Sequence, residues 1–116
     1  MGFWQRKMDR ALVNIQRTKI LNEVQRFILR CQRKALLEKK REIVIEWEID
    51  KKTGKRKKKI SLELCEKKEQ IQKTLFEIED KLLNGEKLDY TKVKKSDVSF
   101  LITIADHLVE IYGEDV

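Results

Sequence analysis

Proline is absent from this chain, glycine occurs only four times, and no apolar run approaches the length of a membrane-spanning segment. Each scarcity excludes something. Without Pro and with few Gly the chain has little punctuation, so the spacing of apolar side chains must carry the reading of secondary structure. A spanning helix needs roughly 20 consecutive apolar residues, whereas the longest uncharged apolar run, residues 98–105, is interrupted by Ser99 and Thr103. No transmembrane segment is expected. The opening MGFWQR has neither the apolar core nor the cleavage site of a secretory signal, and Arg6 stands where a myristoylation motif needs Ser or Thr. The expected location is cytoplasmic.

Cysteine and histidine are equally scarce. Cys31 and Cys65 form no CxxC pair, and His107 is the single imidazole. A tetrahedral zinc site or a redox motif therefore has no ligand set, and the two cysteines are expected to be reduced core thiols. His107 sits beside Asp106, but adjacent helical positions do not face each other, and no Ser or Cys nucleophile accompanies them. No Gly-rich loop follows a strand to cradle a nucleotide. The chain is read as a non-enzyme without cofactor or metal.

Charge is what the sequence has in abundance: 27 Lys and Arg against 20 Asp and Glu, a net +7. The charges are segregated. Residues 1–41 hold twelve basic and three acidic side chains, and residues 50–59 hold seven basic and one acidic, so the rest of the chain is net negative. The 116 residues are expected to form one domain of an α+β, mainly helical class. Its parts are a long N-terminal helix, one two-stranded antiparallel β-hairpin and two C-terminal helices.

The first helical stretch covers residues 3–40. Trp4, Met8, Ala11, Leu12 and Ile15 share one face, opposite Arg6, Arg10 and Arg17. Further on, Ile20, Val24, Phe27, Ile28, Cys31 and Ala35 lie on the opposite side, a jump of roughly half a turn near residues 16–19. Two arrangements satisfy this pattern. In the expected one, a continuous or slightly bent helix packs its second half on the core, and residues 3–17 protrude as an amphipathic arm. In the other, the helix breaks, with Thr18 a possible cap, and folds back to complete the monomer core.

Residues 43–49 and 57–64 alternate apolar and charged side chains around Asp50-Lys-Lys-Thr-Gly54, the pattern of a hairpin over residues 42–64. A four-residue loop, 51–54, pairs Ile43 with Leu62, Ile45 with Ile60 and Trp47 with Lys58. The same register sets Glu46 opposite Lys59 and Glu48 opposite Lys57. A third helix over 66–84 carries Ile71, Leu75, Ile78 and Leu82 and stops at Asn84-Gly85. A loop over 86–95 leads to a last helix over 96–112, capped by Ser96 or Asp97 and ended by Gly113. Phe100, Ile104 and Ile111 widen its apolar face beyond one stripe.

Three groups of residues are candidate binding sites. Lys51, Lys52, Lys55, Arg56, Lys57, Lys58 and Lys59 crowd one hairpin, where each cation can neutralise a phosphate and release its counterion. Lysines on exposed hairpins also prevent edge-to-edge aggregation, but seven basic residues in nine exceed that need. Arg26, Arg30 and Arg33, with Lys34 beside them, offer guanidinium forks for phosphate, unless they pair with the acidic helix around Glu69, Glu77 and Asp80. Phe3, Trp4, Met8, Leu12 and Ile15 form an apolar face for a protein partner or a second copy of the chain, in preference to a lipid surface.

The function expected from these residues is nucleic-acid binding, to DNA or RNA, mainly through the phosphate backbone. The alternative is a protein interaction or assembly module, a homodimer among its forms, built on the N-terminal helix. Abundant Lys, Glu and Ile without Pro is also the composition of an AT-rich genome, such as that of a phage or mobile element.

Overall fold

The computed structural model describes residues 2–85 and 87–116, and of Lys57 the backbone alone. Met1 and Glu86, where the expected loop begins, lie outside the described residues. The elements run α1 (Phe3–Arg10), α2 (Asn14–Lys39), β1 (Arg41–Ile49), β2 (Arg56–Leu64), α3 (Lys68–Asn84) and α4 (Lys95–Tyr112). The fold is mainly helical α+β, with one antiparallel hairpin between helical segments.

The first stretch is two helices, which corrects the expected continuous one. The chain leaves the helix at Ala11, whose amide bonds Met8 O at 3.2 Å, and Val13 is extended (φ −129°, ψ 158°). The Gln16 side chain accepts the Leu12 amide at 2.8 Å and so satisfies one donor freed by the break. The break lies just N-terminal to the stripe jump, and its cause is that jump. In a straight helix Trp4 and Met8 would face away from the core that Val24 and Phe27 occupy. Bending sacrifices a few backbone bonds, each worth about 1 kcal/mol net, where water can replace them. It buries Trp4 and Met8 to 5% and 7% exposure, a gain of about 2–3 kcal/mol each. Residues 3–10 are therefore no protruding arm.

The core lies between α1, α2 and α4, with Ile43 of β1 closing one side. Phe27, Leu21, Val24, Cys31 and Ala35 come from α2, and Val98, Ile102, Ile104, Ala105 and Leu108 from α4. Trp4 packs on Phe27 with ring centroids 5.4 Å apart. Helices α2 and α4 run in the same direction, since Lys34 lies over Tyr112 at one end while Arg17 borders Lys95 and Val98 at the other.

At the end of α2, Lys40 adopts the left-handed conformation (φ 49°, ψ 40°) and turns the chain into β1. The Lys40 carbonyl then accepts the Cys65 amide at 2.8 Å, tying the two feet of the hairpin together. The hairpin register is the expected one: Ile43 with Leu62, Ile45 with Ile60, Trp47 with Lys58, Glu46 with Lys59 and Glu48 with Lys57. Around the loop, Asp50 N–H bonds Lys55 O and Gly54 N–H bonds Asp50 O. Gly54 takes a positive φ of 68° there.

Helix α3 packs chiefly on α2 and buries Ile78, with Ile71, Leu75 and Leu82 half-buried. It begins at Lys68, slightly later than expected, and ends at Asn84 before Gly85 as expected. The following loop is pinned to α2: Asn22 accepts the Leu88 amide and donates to the Leu88 carbonyl, both at 2.8 Å, and Thr18 Oγ1 accepts the Tyr90 amide at 3.0 Å. Thr18 thus holds a loop and caps no helix. Helix α4 starts one residue early, with Lys94 at the cap position and Asp97 in the first turn, so neither Ser96 nor Asp97 caps it. Gly113, at φ 83°, ends it.

Candidate nucleic-acid interface

The inner face of the hairpin emerges from the core by degrees. Along β1, Ile43 is 8% exposed, Ile45 38%, Trp47 58% and Ile49 68%. Only the foot of the hairpin is core, and its outer half stands in solvent. Where the two regimes meet, Trp47 stacks against Phe100 of α4, with centroids 6.3 Å apart and planes inclined by 17°. Lys58, opposite Trp47 in the register, inserts its ammonium against both rings, 3.0 Å from the Phe100 centroid and 4.8 Å from that of Trp47. The negative ring faces attract the cation. Burial holds the Lys58 ammonium below its ordinary 10.5, while Asp97 pulls in the opposite direction.

This cluster sorts the seven basic residues into different roles. Lys58 is an anchor between strand and helix. Lys59 pairs with Glu48 at 3.6 Å across the outer face, a half-exposed ion pair worth well under 1 kcal/mol. Lys57 lies on the same outer face opposite Glu48, and its side chain is outside the description. Arg56 leans toward Trp47, its guanidinium carbon 5.9 Å from the ring centroid. Lys51, Lys52 and Lys55 lie in and beside the loop and are exposed. The hairpin thus offers Lys51, Lys52, Lys55 and Arg56 as solvent-facing cations around an apolar strip of Trp47 and Ile49.

The α2 arginines have different neighbours. Arg33 Nη2 bonds Glu79 Oε1 of α3 at 3.0 Å, so the acidic helix does take one of them, through a residue the sequence did not single out. Arg30 borders a groove with Phe3, Trp4 and Lys7 that also contains Glu23, Glu114 and Asp115. Arg26 reaches a larger groove, about 470 Å³, between α2, α3 and the loop after it. Lys19, Lys81 and Lys87 line this groove with Arg26, beside Ile15, Leu82 and Leu83, and no acidic side chain is among its described residues. The arginine face is divided between the Arg33 ion pair and two grooves, both of which Arg26 reaches, and neither groove is lined by a described hairpin residue.

The apolar N-terminal group divides as well. Trp4 and Met8 are in the core, and Phe3 packs against its margin, T-shaped on Trp4. Reading these three as a partner surface is corrected by the break at residues 11–13. Leu12 and Ile15 remain more than 80% exposed.

Other titratable groups have structural settings. Asp106 turns away from His107 and accepts the Trp4 amide at 2.7 Å and the Gln5 amide at 3.4 Å, capping α1 from another helix. His107 is half-exposed, with Nδ1 4.0 Å from Glu110. Burial pushes the Cys31 thiol up to about 12, against the pull of Arg30 and Lys34. Cys65 is only half-buried, so one of the two expected core thiols is core. Burial likewise raises Tyr112. Among the described residues no cluster of His, Cys, Asp or Glu is placed to hold a metal, and no helix is long and apolar enough to cross a membrane.

Sequence reading missed Phe100 as the partner of Trp47, Asp106 as a cap, and Lys19, Lys81 and Lys87 as groove cations. Two signals were present: Phe100 falls outside the main stripe of α4, and the register opposes Trp47 with a lysine where an aliphatic residue would be ordinary. No protein family, curated protein or solved structure matches this chain.

Proposed function

We propose that this protein binds nucleic acid through its hairpin, gripping phosphates with Lys51, Lys52, Lys55 and Arg56. The observation that carries the reading is the Trp47–Lys58–Phe100 cluster. It ties the middle of the hairpin to α4, so the loop beyond it is carried on an anchored pair of strands, and the loop cations have no ion-pair partner among the described residues. Cations carried on anchored strands lose less conformational freedom on meeting a phosphate than cations on a floppy loop. On the outer face Lys59 is paired with Glu48, so the attraction concentrates at the loop and the inner face.

The test is fluorescence anisotropy with labelled DNA and RNA across a salt series. The Lys51→Gln, Lys52→Gln, Lys55→Gln variant is compared with the wild type. Losing three phosphate contacts should flatten the log–log salt slope by about 2 to 3. Absence of binding at low salt, or an unchanged slope, rejects the proposal.

A second reading rests on the exposed aliphatic residues. Ile15 and Leu83 are each more than 80% exposed and line the same groove, with Leu12 close in sequence. An assembly surface there would be lost in the Ile15→Ser, Leu83→Ser variant. A wild type that sediments as a monomer at all concentrations rules out self-association.

A further inference from the structure

The exposed ring of Trp47 bears on what kind of nucleic acid the hairpin takes. We infer that Trp47 is a stacking platform for an unpaired base, so that the hairpin binds single strands in preference to duplex. This rests on the phosphate-gripping reading above and names its substrate class.

The argument begins with exposure. A tryptophan that served only to pack the hairpin on α4 would be largely covered, yet Trp47 is 58% exposed and Ile49, next on the same face, 68%. Stacking with Phe100 and contact with Lys58 set the orientation of the ring, so little rotamer freedom remains to be lost when a base arrives. The surrounding charge has the matching sign. Arg56 lies 5.9 Å from the ring centroid, and the loop lysines follow within a few residues on the same hairpin. An exposed aromatic plane flanked by cations is the arrangement by which proteins hold single strands: phosphates track the positive side chains while a base covers the ring. In a duplex the base faces are covered by their neighbours, so Trp47 would gain nothing from paired bases beyond the phosphate contacts.

The site has no evident means of selecting a base. Its outer half offers ring, aliphatic and cationic surfaces, and every base presents a flat face. The preference should therefore be for strandedness, shared by single-stranded DNA and RNA.

The experiment measures binding of four labelled probes of equal length: oligo-dT, oligo-U, a duplex, and an abasic strand that keeps the phosphates without bases. Tryptophan emission is recorded alongside. Trp4 is buried, so quenching on binding reports Trp47. The expected result is that oligo-dT and oligo-U bind about 10-fold or more tighter than the duplex and the abasic strand, with quenching. Trp47→Ala should lower the affinity for oligo-dT and oligo-U to that of the abasic strand measured with the same variant, and Trp47→Phe, which keeps a ring against Phe100 and Lys58, should restore part of the margin. Equal affinity for oligo-dT and the abasic strand, without quenching, overturns the stacking inference and leaves the phosphate grip standing. Failure of all four probes to bind overturns both.

Discussion

The Lys58 ammonium lies 3.0 Å from the centre of the Phe100 ring, joining the second strand of the hairpin to a helix that begins more than thirty residues later. Replacing Lys58 with Ala should cost about 0.5–1 kcal/mol in a urea titration, since a partly exposed cation–π contact has that size. The emission of Trp47 should shift in the same variant. Because the Lys58 ammonium is held below its ordinary 10.5, its Nζ resonance should titrate at correspondingly lower pH. Unchanged stability and unshifted Trp47 emission in the variant would mean that Lys58 does not join the strand to the helix.

Helix α1 depends on Asp106. Asp106→Ala removes the acceptor for the Trp4 and Gln5 amides and should cost about 1 kcal/mol, the usual loss with an N-terminal cap. Hydrogen exchange should then accelerate at both amides. Gly2→Ala should act similarly by another route, because an added Cβ would overlap the Asp106 carboxyl. Unchanged exchange in both variants would show that packing of Trp4 alone suffices to hold the helix.

The two thiols should differ in reactivity. Cys31 is fully buried with its thiol raised to about 12, whereas Cys65 is half-buried. A thiol reagent at neutral pH should titrate one cysteine in the native protein and two in denaturant. The sign of the pH dependence follows. The folded state keeps the Cys31 proton above its ordinary 9.0, where the unfolded chain releases it. This contribution is complete below pH 9 and declines as pH rises from about 9 to 12.

Two backbone positions offer opposite outcomes. Lys40 is the described non-glycine residue with positive φ, so Lys40→Gly should stabilise the protein by about 0.5–1 kcal/mol by relieving a left-handed conformation that favours glycine. Asn22→Ala should destabilise by about 1–3 kcal/mol, because it leaves the Leu88 amide and carbonyl without their partner. Thermal midpoints read both effects, and the two substitutions should move them in opposite directions.

The hairpin was fully legible in the sequence because two independent codes agreed on one register. Alternation placed Ile43, Ile45 and Trp47 on one face, and charge placed Glu46 against Lys59 and Glu48 against Lys57. The break after Arg10 was legible only as a displacement of the apolar stripe. No Gly or Pro forces it, and the competing energy, burial of Trp4 and Met8 against α2 and α4, is a tertiary quantity. The candidate site was half legible for the same reason. Its lysines are contiguous in sequence, but what distinguishes Lys58 from Lys55 is Phe100, which only the folded chain brings near. Arg33 fits this pattern too, since its partner Glu79 lies on a helix that packs back onto its own.

The cap on α1 also sets an order of events during synthesis. An eight-residue helix is too short to persist alone in water, and the carboxylate that caps it is 102 residues further along the chain than Trp4. As the protein leaves the ribosome, α2 and the hairpin can assemble from neighbouring sequence, while the first helix waits for the last. Helix α1 is thus fixed in place only after α4 has been made, and until then Trp4 and Met8 lack part of the surface that buries them.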